Sequence, residues 1–385
     1  MAFFSLAQLA TPALLAAAAG SAPPSAAALV SSRTLAAALL ARAAVGLGEG
    51  VALPSMSSLV ARHVPAASRA TALGASFSGF HCGNLLGLAL SPLLLASLGW
   101  RGMFAFFGAA GAPLLLLWFS LVPRERRARG EGDGRTSPAS TASTAAAAAA
   151  AAKTPPRPEV TPRALLSSRH TWAIIAANTA NHWGYFVYLS WLPSYFHRAL
   201  GLDLAASSAA SLGPWLLMAV GSSASGALAD WLVRAQRWEV RRVRVTLQSV
   251  AFLVPAAALV ALVLVGGGGG GASMGGAAAT AAATSKPPLH PALAIALVAT
   301  ALGTTSLGQA GFVANMADVA PTAAGSMFGL CNTFGSAAGI AGVVGAGAIV
   351  QATGGSFAPL FLLTACLYCV GAAVFATFAS GEAVF

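Results

Sequence analysis

The sequence predicts an all-α integral membrane protein, and three features of its 385 residues support that prediction. Hydrophobic residues make up 57% of the chain and charged residues only 8%, whereas soluble domains carry about 25% charged residues. Several apolar runs exceed the roughly 18 residues that are typical of a membrane-spanning helix. The net charge of +11 comes mostly from loops without interleaved aromatic residues. We therefore expect the lipid bilayer, and no nucleic acid, as a partner.

The longest apolar segments predict about ten transmembrane helices, four before and six after a long polar linker. The linker, 123–170, is rich in Arg, Ser, Thr, Ala and Pro, which is typical of disordered segments. We therefore divide the chain into an N-terminal helical half at 1–122, this linker, and a C-terminal helical half at 171–385. The predicted spans are 3–20, 35–60, 72–98, 103–122, 171–197, 208–233, 245–265, 291–313, 325–351 and 357–379.

Basic residues are distributed unevenly between the two sides of the predicted membrane domain. The loops after the second, fourth and sixth spans carry most of the 21 Lys and Arg residues, including nine in the central linker. By the positive-inside rule these loops face the cytoplasm or its topological equivalent. Many transporters consist of two six-helix halves. The four-plus-six pattern therefore predicts an incomplete twelve-helix design that lacks its first two helices.

Arg42 and Glu49 lie near the middle of the apolar segment 35–60, which is otherwise almost free of charge. A charge at that depth costs about 2.5–3.5 kcal/mol on insertion scales, so intramembrane charges usually serve a function. Seven residues make nearly two helical turns, which places both side chains on one face about 10 Å apart. The pair predicts an anion-binding group and a group that carries a coupling cation. The alternative is a self-neutralising pair that only locks neighbouring helices.

The fifth predicted span carries a polar stripe. Asn178, Asn181, Tyr185 and Tyr188 recur at spacings of three and four residues and therefore share one helix face, with His182 beside it. Such a stripe at mid-membrane depth predicts a substrate cavity. A histidine has an ordinary pKa of about 6.5, so His182 would contribute pH dependence to transport. Hydrogen bonding between helices is the alternative role for these side chains.

The sequence contains no convincing metal-binding, redox or catalytic motif. Cys366 and Cys369 form a CxxC pair inside an apolar span without a second pair of ligands, so buried apolar packing is the better interpretation. No GxSxG motif and no recognisable catalytic triad are present. We predict no metal, no cofactor and no enzymatic activity.

Several segments resemble the anion transporters of the major facilitator superfamily. RAAVGLGEG resembles the family's fourth helix, FSGFHCGNLLGLALSP its fifth and NHWGYFVYLSWLPSYF its seventh. The resemblance makes Arg42 an anion-binding or gating group and Glu49 a coupling group. It also assigns Gly226, Asp230 and Arg234 to the superfamily's GxxxD…R loop signature, which braces the cytoplasmic face.

Two departures from the family pattern concern the C-terminal half. Asn181 stands where the seventh helix often carries Arg or His, and His182 follows one place later. The family's NHxDIAPR motif is represented by Asn315 and Asp318, without its His and Arg. Both residues are expected to contribute to gating, although the departure weakens the expectation of ordinary gating.

The resemblance implies a secondary active transporter that works by alternating access. The family includes type I sodium–phosphate cotransporters, vesicular glutamate transporters, sialin and plant and algal phosphate-type transporters. The WLPSYF form of the seventh helix favours the plant and algal branch. The resemblance to the family implies a small anion as substrate, with inorganic phosphate as the first candidate and a sodium or proton gradient as the driving force. One alternative is a transporter of an organic anion such as glutamate or ascorbate. The other is a membrane remnant that does not transport. The plastid envelope or another organelle membrane is the expected location.

Overall fold

The computed structural model describes Gly46 and residues 50–130, 160–265 and 290–385 of the chain. Regular secondary structure in these residues is helical throughout, as the sequence predicts. The chain divides into two compact units, one of 1–85 with 160–385 and one of 86–159. The first predicted span, together with Arg42 and Glu49, lies outside the described residues.

The described helices follow the predicted order of spans. We number them α1 to α10, and 3-10 turns lie at Ala66–Ser68 and Ser306–Gln309. Six stretches, most of them single helices, are long and apolar enough to cross a membrane. The helices are α1 Ala52–His63, α2 Arg69–Gly130, α3 Pro162–Leu166, α4 Arg169–Leu200, α5 Leu204–Arg234, α6 Val240–Val265, α7 Pro291–Thr305, α8 Phe312–Val319, α9 Ala324–Ala352 and α10 Ala358–Phe378.

The third and fourth predicted spans form the single long helix α2, which is interrupted at Gly99. That residue has φ 65° and ψ 177°, a conformation that glycine adopts readily because it has no Cβ atom. The helix continues past residue 122, where we predicted the fourth span to end, as far as Gly130. The Arg-rich sequence after 122 has good helical propensity, so the helix extends beyond the apolar span that the sequence predicts.

The helix α4 is not among the six apolar stretches, although it is 32 residues long. Its polar stripe lowers its hydropathy, but the stripe is directed into the protein. Asn178 is 3% exposed and Asn181 is 9% exposed. The helix is therefore surrounded by protein on its polar face, as expected for a transmembrane helix that lines an internal site.

Close packing between α4 and α9 depends on glycine. A Cβ atom at Gly335 would lie 2.5 Å from Nδ2 of Asn178 and 2.8 Å from Cγ of His182. A Cβ atom at Gly339 would collide with the ring of Phe186. Small residues allow membrane helices to approach this closely. These two glycines therefore hold α9 against the polar face of α4.

The eighth predicted span is a broken helix. The helix α7 ends at Thr305, a 3-10 turn follows, and α8 begins at Phe312. The N–H of Phe312 donates to Oε1 of buried Gln248 at 3.1 Å, which satisfies a backbone donor that the break exposes. Discontinuous helices of this kind are typical of transporter binding sites, because the break brings backbone and polar side chains to mid-membrane depth.

Candidate functional site

A cavity of about 80 Å³ lies inside the larger unit, next to the polar face of α4. By the volume that one water molecule needs, this is room for several waters. Side chains from both predicted halves of the chain form its wall. The lining residues are Leu53, Phe77, Phe80, His81, Asn178, Asn181, His182, Tyr185, Phe186, Met218, Gln309, Phe312, Val313, Phe328, Asn332 and Ser336.

His182 is held in one orientation by two hydrogen-bonding groups. Its Nδ1 lies 3.0 Å from the carbonyl oxygen of Asn178, one turn earlier in α4. Its Nε2 lies 3.0 Å from Oδ1 of Asn332 in α9. A backbone carbonyl can only accept, so Nδ1 carries a proton. The neutral ring is then satisfied when the Asn332 amide presents its NH₂ group to Nε2.

Asn178 and Tyr185 also connect helices. The amide Nδ2 of Asn178 donates to the carbonyl oxygen of Cys331 in α9 at 2.6 Å. Nδ2 of Asn84 in α2 donates to the hydroxyl oxygen of Tyr185 at 2.6 Å. This second bond joins a helix of the N-terminal half to a helix of the C-terminal half, at the edge of the cavity. The two roles predicted for the stripe, cavity lining and helix contact, therefore occur together.

Tyr188 was predicted to bind substrate with the rest of the stripe, but it is not among the residues that line the cavity. Tyr188 lies about 20° around the helix from Asn181, which lines the cavity, but seven residues or about 10 Å further along the helix axis. It is 3% exposed, so it is buried against protein outside the cavity wall. Asn178, Asn181, His182 and Tyr185 all line the cavity.

Asp230 and Gly226 lie where α5 meets the beginning of α2. The backbone N–H of Thr71 donates to Oδ2 of Asp230 at 2.8 Å, and a carboxylate at a helix N-terminus is electrostatically favourable. A Cβ atom at Gly226 would collide with the carbonyl oxygen of Ala70. Nε of Arg234 donates to the carbonyl oxygen of Asp230 at 3.2 Å. The predicted signature thus sits at a contact between α5 and α2.

Asn315 and Asp318, the remnants of the second motif, bind other parts of the C-terminal half. Nδ2 of Asn315 donates to the carbonyl oxygen of Ser380 at 2.6 Å. Oδ2 of Asp318 accepts from Nε of Arg244 at 2.7 Å, in an ion pair whose side chains are 3% and 9% exposed. Nη1 of Arg244 also donates to the carbonyl oxygen of Ala310 at 3.0 Å.

Sequence reasoning missed Arg244, because it placed this residue in a loop before a span that begins at 245. The helix α6 in fact begins at Val240, so Arg244 lies within it and is 2% exposed. The available signal was helical spacing. Arg244 stands one turn before Leu247 and Gln248, which are also buried, and this pattern places it on the inward face of the helix.

His81 is the second residue that sequence reasoning missed. It lines the cavity from α2 and is 2% exposed. The signal was a histidine within the apolar run FSGFHCGN. Among the described residues, no group of three or more His, Cys, Asp or Glu side chains is arranged to hold a metal ion.

Comparison with known proteins agrees with this architecture. A family model described as Major Facilitator Superfamily matches residues 6–290. The chain belongs to this superfamily. It is therefore an integral, multi-pass membrane protein.

Three relatives from Arabidopsis thaliana illustrate the similarity. The chain is 36% identical to "Probable anion transporter 3, chloroplastic" over 91% of its own length and 63% of the relative. It is 31% identical to "Sodium-dependent phosphate transport protein 1, chloroplastic" over 90% of its length and 61% of the relative. It is 31% identical to "Ascorbate transporter, chloroplastic" over 90% and 58%. The chain thus spans about three fifths of the length of these curated relatives.

Proposed function

We propose that this superfamily member is a secondary active transporter of a small anion, with inorganic phosphate as the first candidate. Transport proceeds by alternating access and is driven by a sodium or proton gradient. The observation that carries the proposal is the cavity beside α4, which receives polar side chains from both halves of the chain. A site between two halves can open to one side of the membrane and then to the other when the halves rock.

Arg42 is the proposed anion-binding or gating group. Its planar guanidinium can hold a phosphate or carboxylate through two parallel hydrogen bonds. Asn178, Asn181, His182 and Tyr185 supply neutral hydrogen-bonding groups, which orient an anion without adding charge. Tyr188 is left out of this proposal, because it does not line the cavity.

Glu49 is the proposed coupling group. A bound anion near Arg42 would remove the positive charge that favours the ionised carboxylate of Glu49. Anion binding would then promote binding of a coupling cation, and the reverse would hold by linkage. This arrangement suits symport of an anion with a proton or a sodium ion.

Gly226, Asp230, Arg234, Asn315 and Asp318 are proposed to act in gating. The contact of Asp230 with Thr71 joins α5 to α2, so it must change if these helices separate at that end. Asp318 is engaged by Arg244 instead of by a residue of its own motif. We therefore propose that Asp318 contributes to gating by fixing the end of α8, while the contact made by Asp230 changes when the helices move.

An organic anion such as ascorbate or glutamate is the second candidate substrate. The observation that favours it is the aromatic part of the cavity wall, which includes Phe77, Phe80, Phe186, Phe312 and Phe328. Aromatic faces suit a substrate with an apolar or ring portion. The similarity to plastid proteins makes the plastid envelope the proposed membrane.

Uptake by the complete protein in proteoliposomes tests the proposal. Phosphate, glutamate and ascorbate would be compared under an imposed sodium gradient, an imposed proton gradient and no gradient. Arg42→Ala is expected to abolish uptake with normal membrane insertion, and Arg42→Lys to restore it only in part, because the planar fork is lost. Glu49→Gln is expected to lose uphill accumulation and to keep some exchange. Wild-type uptake by Arg42→Ala would refute the assigned role, and no uptake of any anion by the wild type would refute transport.

A further inference from the structure

His81 lies in the cavity wall with both ring nitrogens unpartnered in the described part of the chain. The residue is 2% exposed. Its neighbours are aromatic: the ring centroids of Phe77, Phe80 and Tyr185 lie 6.5, 5.4 and 6.2 Å from its own. A buried polar group without a hydrogen-bond partner is unfavourable. The position is therefore costly for the protein unless something in the cavity binds the imidazole.

The other cavity histidine differs in this respect. Both nitrogens of His182 lie within hydrogen-bonding distance of protein groups, Asn178 and Asn332. Both nitrogens of His81 lack such partners among the residues that the structure describes. Of the two imidazoles, His81 is the one that can bind a molecule in the cavity without breaking a bond to the protein.

One more polar group in the wall shares this property. Oε1 of Gln309, at the 3-10 turn after α7, is buried and has no partner in the described part of the chain. The side-chain amide of Asn181 lines the same cavity. The cavity thus offers a histidine from the N-terminal half and two amides from the C-terminal half.

We propose that His81 binds the substrate directly through one ring nitrogen and that it recognises an oxyanion. A neutral imidazole presents one N–H donor and one nitrogen acceptor. The two nitrogens point to nearly opposite sides of the ring, so a small ion contacts one of them: the N–H donates to a negatively charged oxygen, or the other nitrogen accepts from a hydroxyl group. Hydrogen phosphate presents both groups, and so does a hydroxylated organic anion. Gln309 Oε1 offers an additional acceptor for a hydroxyl.

This inference rests on the proposed function, since it names the anion's contact in the N-terminal half. It adds a binding role for α2, in which Asn84 donates to Tyr185 of the cavity wall. Substrate that touches His81 on one side and α4 on the other would hold the two halves together. Binding would in that way favour the conformation in which the halves are closed around the anion.

The test measures anion binding and transport separately. The complete protein and two variants, His81→Phe and His81→Gln, would be purified in detergent, and the rise in Tm would be titrated with phosphate, ascorbate and glutamate, with chloride as the ionic-strength control. His81→Phe keeps an aromatic ring among aromatic neighbours and removes both nitrogens. His63→Phe is the matched control, because His63 is exposed at the end of α1.

We expect phosphate or ascorbate to raise the Tm of the wild type. His81→Phe should weaken that binding by about ten- to a hundredfold, the range for a lost hydrogen bond to a charged group. His81→Gln should recover part of the affinity, and His63→Phe should match the wild type. The Tm without anion should be unchanged or higher in His81→Phe, since an unpartnered buried polar group has been removed. In uptake assays the KM should rise more than Vmax falls.

Equal anion affinity of His81→Phe and wild type would overturn the inference and leave the proposed function intact. Binding by the wild type without uptake would refute transport, while the comparison of affinities would still decide the role of His81. If none of the three anions raises the Tm of the wild type, both proposals fail. If His81→Phe does not fold, the anion affinities of His81→Gln and His81→Asn decide. Wild-type anion affinity in both of these variants would overturn the binding role of His81.

Discussion

The buried ion pair between Arg244 and Asp318 gives the sharpest prediction about stability. Nε of Arg244 and Oδ2 of Asp318 are 2.7 Å apart, and the side chains are only 3% and 9% exposed. Removal of one partner from such a pair leaves a buried, uncompensated charge, which costs about 3–5 kcal/mol. We therefore expect Arg244→Met and Asp318→Leu each to lower the free energy of unfolding by about that amount.

The double variant should behave differently. Arg244→Met combined with Asp318→Leu removes both charges and leaves an apolar contact. The carbonyl oxygen of Ala310 also loses its hydrogen-bond donor. Its cost should fall below the sum of the single variants by about 2 kcal/mol or more. Arg242→Met is the control, because exposed Arg242 only lies over the Trp238 ring at 4.4 Å. Such a contact contributes about 0.5–1 kcal/mol.

Unfolding in mixed micelles with increasing denaturing detergent, followed by far-ultraviolet circular dichroism, would measure these free energies. A single-variant cost of about 3 kcal/mol reduces the ratio of folded to unfolded protein about a hundredfold or more. Strictly additive single-variant costs would refute the reasoning, because they would mean that the two charges do not interact. A single-variant cost equal to that of Arg242→Met would refute it as well.

Three further substitutions test helix packing and the cavity wall. Gly226→Ala should destabilise the protein by about 1–3 kcal/mol, because the added methyl group meets backbone, and thermal unfolding measures this; wild-type stability would contradict it. Tyr185→Phe should leave the amide of Asn84 unpaired at a cost of about 1–3 kcal/mol. It should change both Vmax and KM, because Tyr185 joins the halves and lines the cavity; an effect on KM alone would argue against a contact between halves. Gly335→Ala should disturb the cavity wall and reduce anion binding. Gly79→Ala is the control, because a Cβ atom added at Gly79 meets nothing within 4 Å. Equal anion binding by the two variants would contradict the proposed site.

Much of the fold was predictable because hydropathy reports directly on membrane-spanning helices. From Arg69 onward, the order of the described helices matches the predicted spans. The differences fall at helix ends, at Gly99 where the third and fourth spans join, and at the break in the eighth span. Arg244 was assigned to a loop although α6 begins at Val240, since a charged residue near the membrane surface has the same composition signal whether it is solvated or paired inside the protein.

The candidate site was predictable in part for a similar reason. Asn178, Asn181, His182 and Tyr185 form a periodic stripe, and periodicity within one helix is visible in a sequence. His81 stands alone in an apolar run, so its importance appears only when the fold brings α2 against α4. Its lack of hydrogen-bond partners is a tertiary property. The roles of Arg42 and Glu49 stay predictions, because both lie outside the described residues.

Tyr185 has a neighbour that makes its hydrogen bond with Asn84 observable without a label. Trp215 is 1% exposed, and its ring stands edge-on to that of Tyr185 with the centroids 5.2 Å apart. Trp172 and Trp231 are about half exposed on the outer surface, so their emission should respond to lipid or detergent instead. A change in the emission of the buried indole would then signal that the halves have separated beside the cavity. The protein thus carries an intrinsic optical reporter of the contact between α2 and α4.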